Sequence, residues 1–130
     1  MISVPRWLED ILSEFASGYG LEKFALNENG TAALKFENGV IFRLEYAANS
    51  LALLMTAEPP SNVAEAKVLL SSADPLRRGP FQIRAGLLEN PSRAVMSVRL
   101  EDSDITLGNL EGVMAELWRM VENYRRRLGA

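Results

Sequence analysis

The chain has 130 residues, 48% of them apolar, with 14 basic and 17 acidic side chains and a formal net charge of -3. That length and apolar content predict one domain over residues 1–130 with its own core, and the acidic balance argues against nucleic acid as the main partner, because such affinity comes from clustered Lys and Arg. Cysteine and histidine are both absent, which excludes disulfides, Ser-His and Cys-His nucleophiles and most zinc sites, leaving an enzyme only Asp, Glu, Lys, Tyr and Ser to use.

Residues 1–10 hold no basic segment leading into an apolar run, and the longest apolar stretch, residues 51–55, falls far short of the roughly 20 residues of a membrane helix. The expectation is a cytoplasmic protein with no membrane insertion. The first element is an amphipathic helix over residues 5–19, its apolar stripe made of Leu8, Ile11, Leu12, Phe15 and Tyr19. Pro5 suits the first turn, Glu9 and Asp10 suit the positive end of the dipole, and Gly18 or Gly20 ends the helix.

An extended piece from Phe24 closes at Asn29-Gly30, and residues 31–37 form a strand with Leu34 and Phe36 on one face. Asn38-Gly39 then predicts a type I′ hairpin, since Asn-Gly best tolerates positive φ at both central positions. Val40, Phe42, Leu44 and Tyr46 alternate with Ile41, Arg43 and Glu45 as in a strand with one buried face, and residues 51–57 make a third strand of the meander. Pro59-Pro60 stops it. Ser61 or Asn62 caps a short helix running to residue 72, with Glu65 placed as in a capping box.

Residues 74–80 read as a loop, residues 81–88 and 93–101 as two strands joined by a turn at residues 89–92, and residues 106–128 as a long helix. Leu107, Leu110, Val113, Met114, Leu117, Trp118, Val121 and Tyr124 supply that helix's apolar face. The fold class is therefore α+β: an antiparallel twisted sheet of five or six strands with three helices, in the order α-β-β-β-α-β-β-α.

No catalytic or metal motif stands out. Glu101, Asp102 and Asp104 sit where helix capping already calls for acids, and they lack a calcium-loop pattern. Arg125, Arg126 and Arg127 at a helix end, and Arg77 with Arg78, read as solvated charge. More informative are apolar residues opposite the core-facing set: Ile41 and Leu54 with Ala52, then Phe81, Ile83, Ala85 and Leu87, with Val95 continuing the pattern. Either a partner covers this surface or the twisted sheet curls over it.

The stretch from Phe24-Ala25-Leu26 through Leu34-Lys35-Phe36 to Val40-Ile41-Phe42-Arg43-Leu44-Glu45, together with size, acidity and element order, resembles the class I chaperones of bacterial type III secretion, the Tir chaperone/CesT-like family. The resemblance implies a homodimer that keeps a secreted effector or secretion-apparatus protein soluble by binding it in extended form, with no cofactor or metal. By position it places the dimer interface at Val68, Leu69, Phe81, Ile83 and Val98, and the client groove at Phe24, Leu26, Ile41 and Leu54. The alternatives are an adaptor or regulatory subunit on the same fold, and a carboxylate-dependent enzyme using Glu101, Asp102, Asp104 or Tyr46.

Overall fold

The computed structural model describes residues 3–21, 24–71 and 80–128. Its elements are α1 (Arg6–Gly18), β1 (Thr31–Lys35), β2 (Ile41–Ala47), β3 (Ser50–Ala57), α2 (Val63–Ser71), β4 (Arg84–Leu88), β5 (Arg93–Glu101) and α3 (Leu107–Arg126). The five strands are antiparallel in the order β1-β2-β3-β5-β4, so β1 and β4 are the edges. A short 3-10 turn, Asp102–Asp104, leads from β5 towards α3.

Local chemistry explains the boundaries. Gly20, at φ +70°, ends α1 in the left-handed conformation, and the Leu21 amide reaches back to the Ala16 carbonyl at 2.9 Å, satisfying one of the helix's last acceptors. Asn62 accepts from the Glu65 amide at 2.9 Å while the Glu65 carboxylate accepts from the Ser61 amide at 2.9 Å and the Ser61 hydroxyl at 2.8 Å, so the expected capping box starts α2. Thr106 caps α3 through the Asn109 amide at 3.0 Å.

The type I′ turn lies elsewhere than the Asn-Gly pair suggests. Ala48 and Asn49, at φ 51° and 60°, form the two-residue hairpin between β2 and β3, whose register keeps Ala47 opposite Ser50. At Asn38-Gly39 only Gly39 has positive φ. The Gly39 amide donates to the Phe36 carbonyl at 3.0 Å and the Phe36 amide to Val40 at 2.8 Å, a three-residue loop in which glycine makes the bulge.

One face of the sheet carries the core. Phe42, Met55, Met96 and Ala85 form a row across four strands, with Leu44, Leu53 and Val98 in the next row and Tyr46, Leu51 and Leu100 beyond. Onto this face pack Leu8, Leu12 and Phe15 of α1 and Leu110, Val113, Leu117, Val121 and Tyr124 of α3. Residues 81–83 precede the β4 ladder, so that strand is shorter than its apolar pattern suggests. Ile83 and Ala85, with the Phe81 ring, join the helix-side core and do not extend the opposite face.

The α3 C-terminus is tied down, which the solvated-charge reading of its arginines missed at one position. Arg125 Nε lies 3.1 Å from Glu58 Oε2, its Nη2 donates to the Asn38 carbonyl at 2.9 Å, and the Tyr124 hydroxyl donates to the Glu58 carbonyl at 2.8 Å. Arg126 and Arg127 are exposed. The loop over residues 74–79, with Arg77 and Arg78, lies outside the described residues.

Candidate functional site

The helical side carries two open grooves. One runs along α1, between Glu9, Leu12, Ser13 and Ala16 and the segment Leu21, Phe24 and Leu26, and encloses about 810 Å³ between walls that are part polar and part apolar. The Phe24 ring stacks at 6.3 Å on Phe42, so a core side chain fixes the groove wall. The other is a shallower depression of about 470 Å³ lined by Tyr19, Phe36, Met114, Trp118, Arg119 and Glu122. Its lining is mainly apolar, and Phe36 meets Trp118 edge-on at 4.9 Å. Burial, and then the nearby Glu111 charge, raise the Tyr19 phenol pKa, so it faces this groove as a neutral donor.

A second apolar surface lies where α2 meets the β4 edge. Val63, Leu70, Leu87 and Leu88 are 71%, 60%, 58% and 42% exposed; Leu87 lies opposite core-facing Ala94 and Leu88 opposite Arg93, so bare leucines stand on both faces of the β4 edge. The opposite sheet face, uncovered by any described helix, bears Ile41 and Leu54, both half-buried.

The client-groove residues named from sequence thus divide between two surfaces. Phe24 and Leu26 share the α1 groove, whereas Ile41 and Leu54 are neighbours on the far side of the sheet. Of the dimer residues, Leu69, Ile83 and Val98 are 2%, 4% and 3% exposed and pack inside the protomer, while Val68 and Phe81 are half-buried. Sequence reasoning singled out Leu87 but missed Leu70 and Leu88 as exposed leucines, and it counted Trp118 only within the apolar face of the last helix.

Among the acidic candidates, Asp102 accepts a hydrogen bond from Tyr46 Oη at 2.9 Å, pinning β2 to the turn after β5. Burial, then that bond and the Asp102 charge, raise the Tyr46 pKa and keep the donor protonated. Among the described residues no group of three or more Asp, Glu, His or Cys side chains could hold a metal ion, and no helix is long and apolar enough to cross a membrane.

No protein-family model matches the chain, and none of the curated proteins matches it. Solved structures do. A chain in the crystal structure of the ExsC–ExsE complex superposes with a TM-score of 0.82 at 24% identity, covering 98% of this chain and 97% of that one. A chain of the HopA1–SchA chaperone–effector complex gives 0.75 at 20% identity, over 92% and 94% of the two chains. The structure of the Yersinia pestis type III secretion chaperone SycH with a stable fragment of YscM2 gives 0.65 at 22% identity, over 88% and 97%. This chain has the type III secretion chaperone fold. In terms of that fold, the two grooves lie on the helical side and the α2/β4 patch at one sheet edge.

Proposed function

We propose that the protein is a dimeric cytoplasmic chaperone that binds a secreted effector, or a component of the secretion apparatus, in partly extended form and keeps it soluble and fit for export. The observation that carries this is the pair of open grooves along α1 and beside Trp118 on a fold that SycH and SchA, named as chaperones in their complexes, also have. Open grooves, one mainly apolar and one of mixed polarity, suit side chains of an extended segment. A deep polar pocket with paired titratable groups would suit catalysis better.

Among the described residues β1 pairs only with β2, so its other edge can accept an added strand from the same client. Phe24 and Leu26 are the groove contacts, and Ile41 with Leu54 forms a second, separate contact surface. The dimer forms through α2 and the β4 edge, by Leu70, Leu87 and Leu88 with Val68 and Phe81 at its margin. Binding of this kind uses neither metal nor cofactor.

The test is purification from native cells, identification of any bound protein by mass spectrometry, and co-expression of that protein with and without this chain. A dimer that returns one specific client, insoluble when expressed alone, is the expected result. A monomer at micromolar concentration with no such client would refute the proposal.

A further inference from the structure

Charge in this acidic chain is unevenly spread. Acidic side chains lead on α1, with Glu9, Asp10 and Glu14 against Arg6, whereas α3 balances Glu111, Glu116 and Glu122 with Arg119, Arg125 and Arg126. The outer sheet face is net basic. Strand alternation and register put Lys35, Arg43, Arg84, Arg93 and Arg99 there, against Glu45 and Glu101. Glu45 pairs with Arg43 at 2.8 Å. Among the described residues Lys35, Arg84, Arg93 and Arg99 form no ion pair.

Two of these cations are held in place. Arg99 Nη1 donates to Ser50 Oγ at 3.0 Å, and Arg93 Nη2 donates to the Gly39 and Thr56 carbonyls at 2.8 and 3.1 Å. Neutral acceptors orient a guanidinium without cancelling its charge, so this face presents fixed positive charge. Between the cations lies an apolar strip. Arg43, Leu54, Ser97 and Arg84 form one row across the sheet, Ile41, Thr56, Val95 and Gly86 the next, and Glu45, Ala52 and Arg99 flank them. Ile41, Leu54 and Val95 are half-buried and uncovered by any described helix.

We propose that the outer sheet face docks an acidic polypeptide segment in which apolar side chains alternate with carboxylates. The cations select the charge, and Ile41, Leu54 and Val95 provide the apolar contact between them. Nucleic acid fits less well. These strands place no aromatic side chain on the face to stack on bases, its centre is aliphatic, and the chain's net charge is -3. The inference rests on the chaperone reading for the nature of the partner and adds its charge and its landing surface.

The probe is a fluorescent peptide of about ten residues alternating Glu with Val, long enough at ~3.3 Å per residue to cross the ~19 Å width of five strands. Anisotropy is read at low and high salt, beside the Lys-for-Glu peptide and a single-stranded DNA oligonucleotide. The expected result is binding of the acidic peptide alone, weakened by salt and weakened about tenfold by Arg84→Glu with Arg99→Glu, as for two exposed ion pairs reversed. Both side chains are exposed, and circular dichroism verifies the fold of the double variant. The salt response of the unmodified protein tests the idea without any variant.

Absence of acidic-peptide binding, equal binding by the double variant, tighter binding of the oligonucleotide, or salt-sensitive self-association in place of peptide binding would each overturn the proposal. The peptide assay reads this face alone, whereas dimer state and client capture read the chaperone function. The two can therefore fail separately.

Discussion

Leu70→Glu should convert the dimer to a monomer without unfolding the protomer. Leu70 is 60% exposed and its helical neighbour Leu69 is 2% exposed, so adjacent positions on α2 report on different things. Full burial of a leucine is worth roughly 2 kcal/mol, so covering 60% of Leu70 contributes about 1 kcal/mol per copy. A two-fold interface uses the residue twice, giving about 2 kcal/mol. A carboxylate left unpaired in that contact costs at least ~1 kcal/mol more per copy, so the total is about 4 kcal/mol and the dissociation constant rises on the order of a thousandfold. Sedimentation equilibrium over a dilution series measures it. The companion variant Leu69→Glu puts the charge into the core and should unfold the protomer. An unchanged dimer in Leu70→Glu, or equal loss of folding in the two variants, would refute the assignment of α2.

Further perturbations test the frame that carries these surfaces. Tyr124 is 1% exposed and donates to the Glu58 carbonyl at 2.8 Å, so Tyr124→Phe should cost about 1 kcal/mol at neutral pH in urea unfolding. Burial first, then the charges of Glu65 and Glu58, push its pKa up to about 12. An unfolded tyrosine ionises near ~10, so the stability linked to this group is complete below that pH and is lost as pH rises towards 12. The phenylalanine variant should lose less stability between about pH 9 and pH 11 than the unmodified protein, and an identical slope would contradict the linkage. Asn62→Ala removes the acceptor for the Glu65 amide and should lower α2 stability by about 1 kcal/mol in thermal melts, with the Ser61 half of the box intact. A Cβ at Gly108 meets nothing within 4 Å, so Gly108→Ala should stabilise by roughly 0.5 kcal/mol. At Gly112 it would lie 3.1 Å from the Phe81 ring, and Gly112→Ala should show no such gain; a rise in Tm equal to that of Gly108→Ala would place the ring elsewhere.

What could be read from the sequence was what repeats. The period-2 run through Phe42, Leu44 and Tyr46 and the helical spacing through Leu110, Val113, Leu117 and Val121 each fix an element and its buried side. Turn chemistry was less secure. Asn-Gly permits a type I′ turn, but loop length decides, and the three residues between Phe36 and Val40 select a different one. The strand reading over residues 81–88 ran too long because alternation continues through Phe81 and Ile83, whereas the ladder begins at Arg84. The surfaces were the least legible part. Leu69 and Leu70 are one residue apart on a helix whose apolar residues form no clear stripe, and only the packing of α2 beside β4 and α3 decides which is core. Phe36 and Trp118 are far apart in sequence and meet only after the β1–β2 hairpin folds under α3.

The scatter of candidate surfaces bears on the proposed mechanism. The α1 groove and the Trp118 depression open on the helical side while the β1 edge and the basic outer face lie elsewhere on the protomer, so one compact surface of a folded ligand does not span them together. An extended chain can span them, because its segments reach separate sites and each new contact becomes intramolecular once the first has formed. Every site can then be individually weak, with shallow walls already packed against the core and little area left to bury, while the sum holds the client firmly. Release need not remove the whole interface at once, since an extended client can be peeled away site by site. A single deep pocket would concentrate the same affinity in one barrier. On this argument, Trp118→Ala and the Arg84, Arg99 double variant should each weaken a long client modestly, and combining them should weaken it by more than either alone. Loss of all binding on removal of any one surface would point to a single dominant pocket and sink the distributed reading.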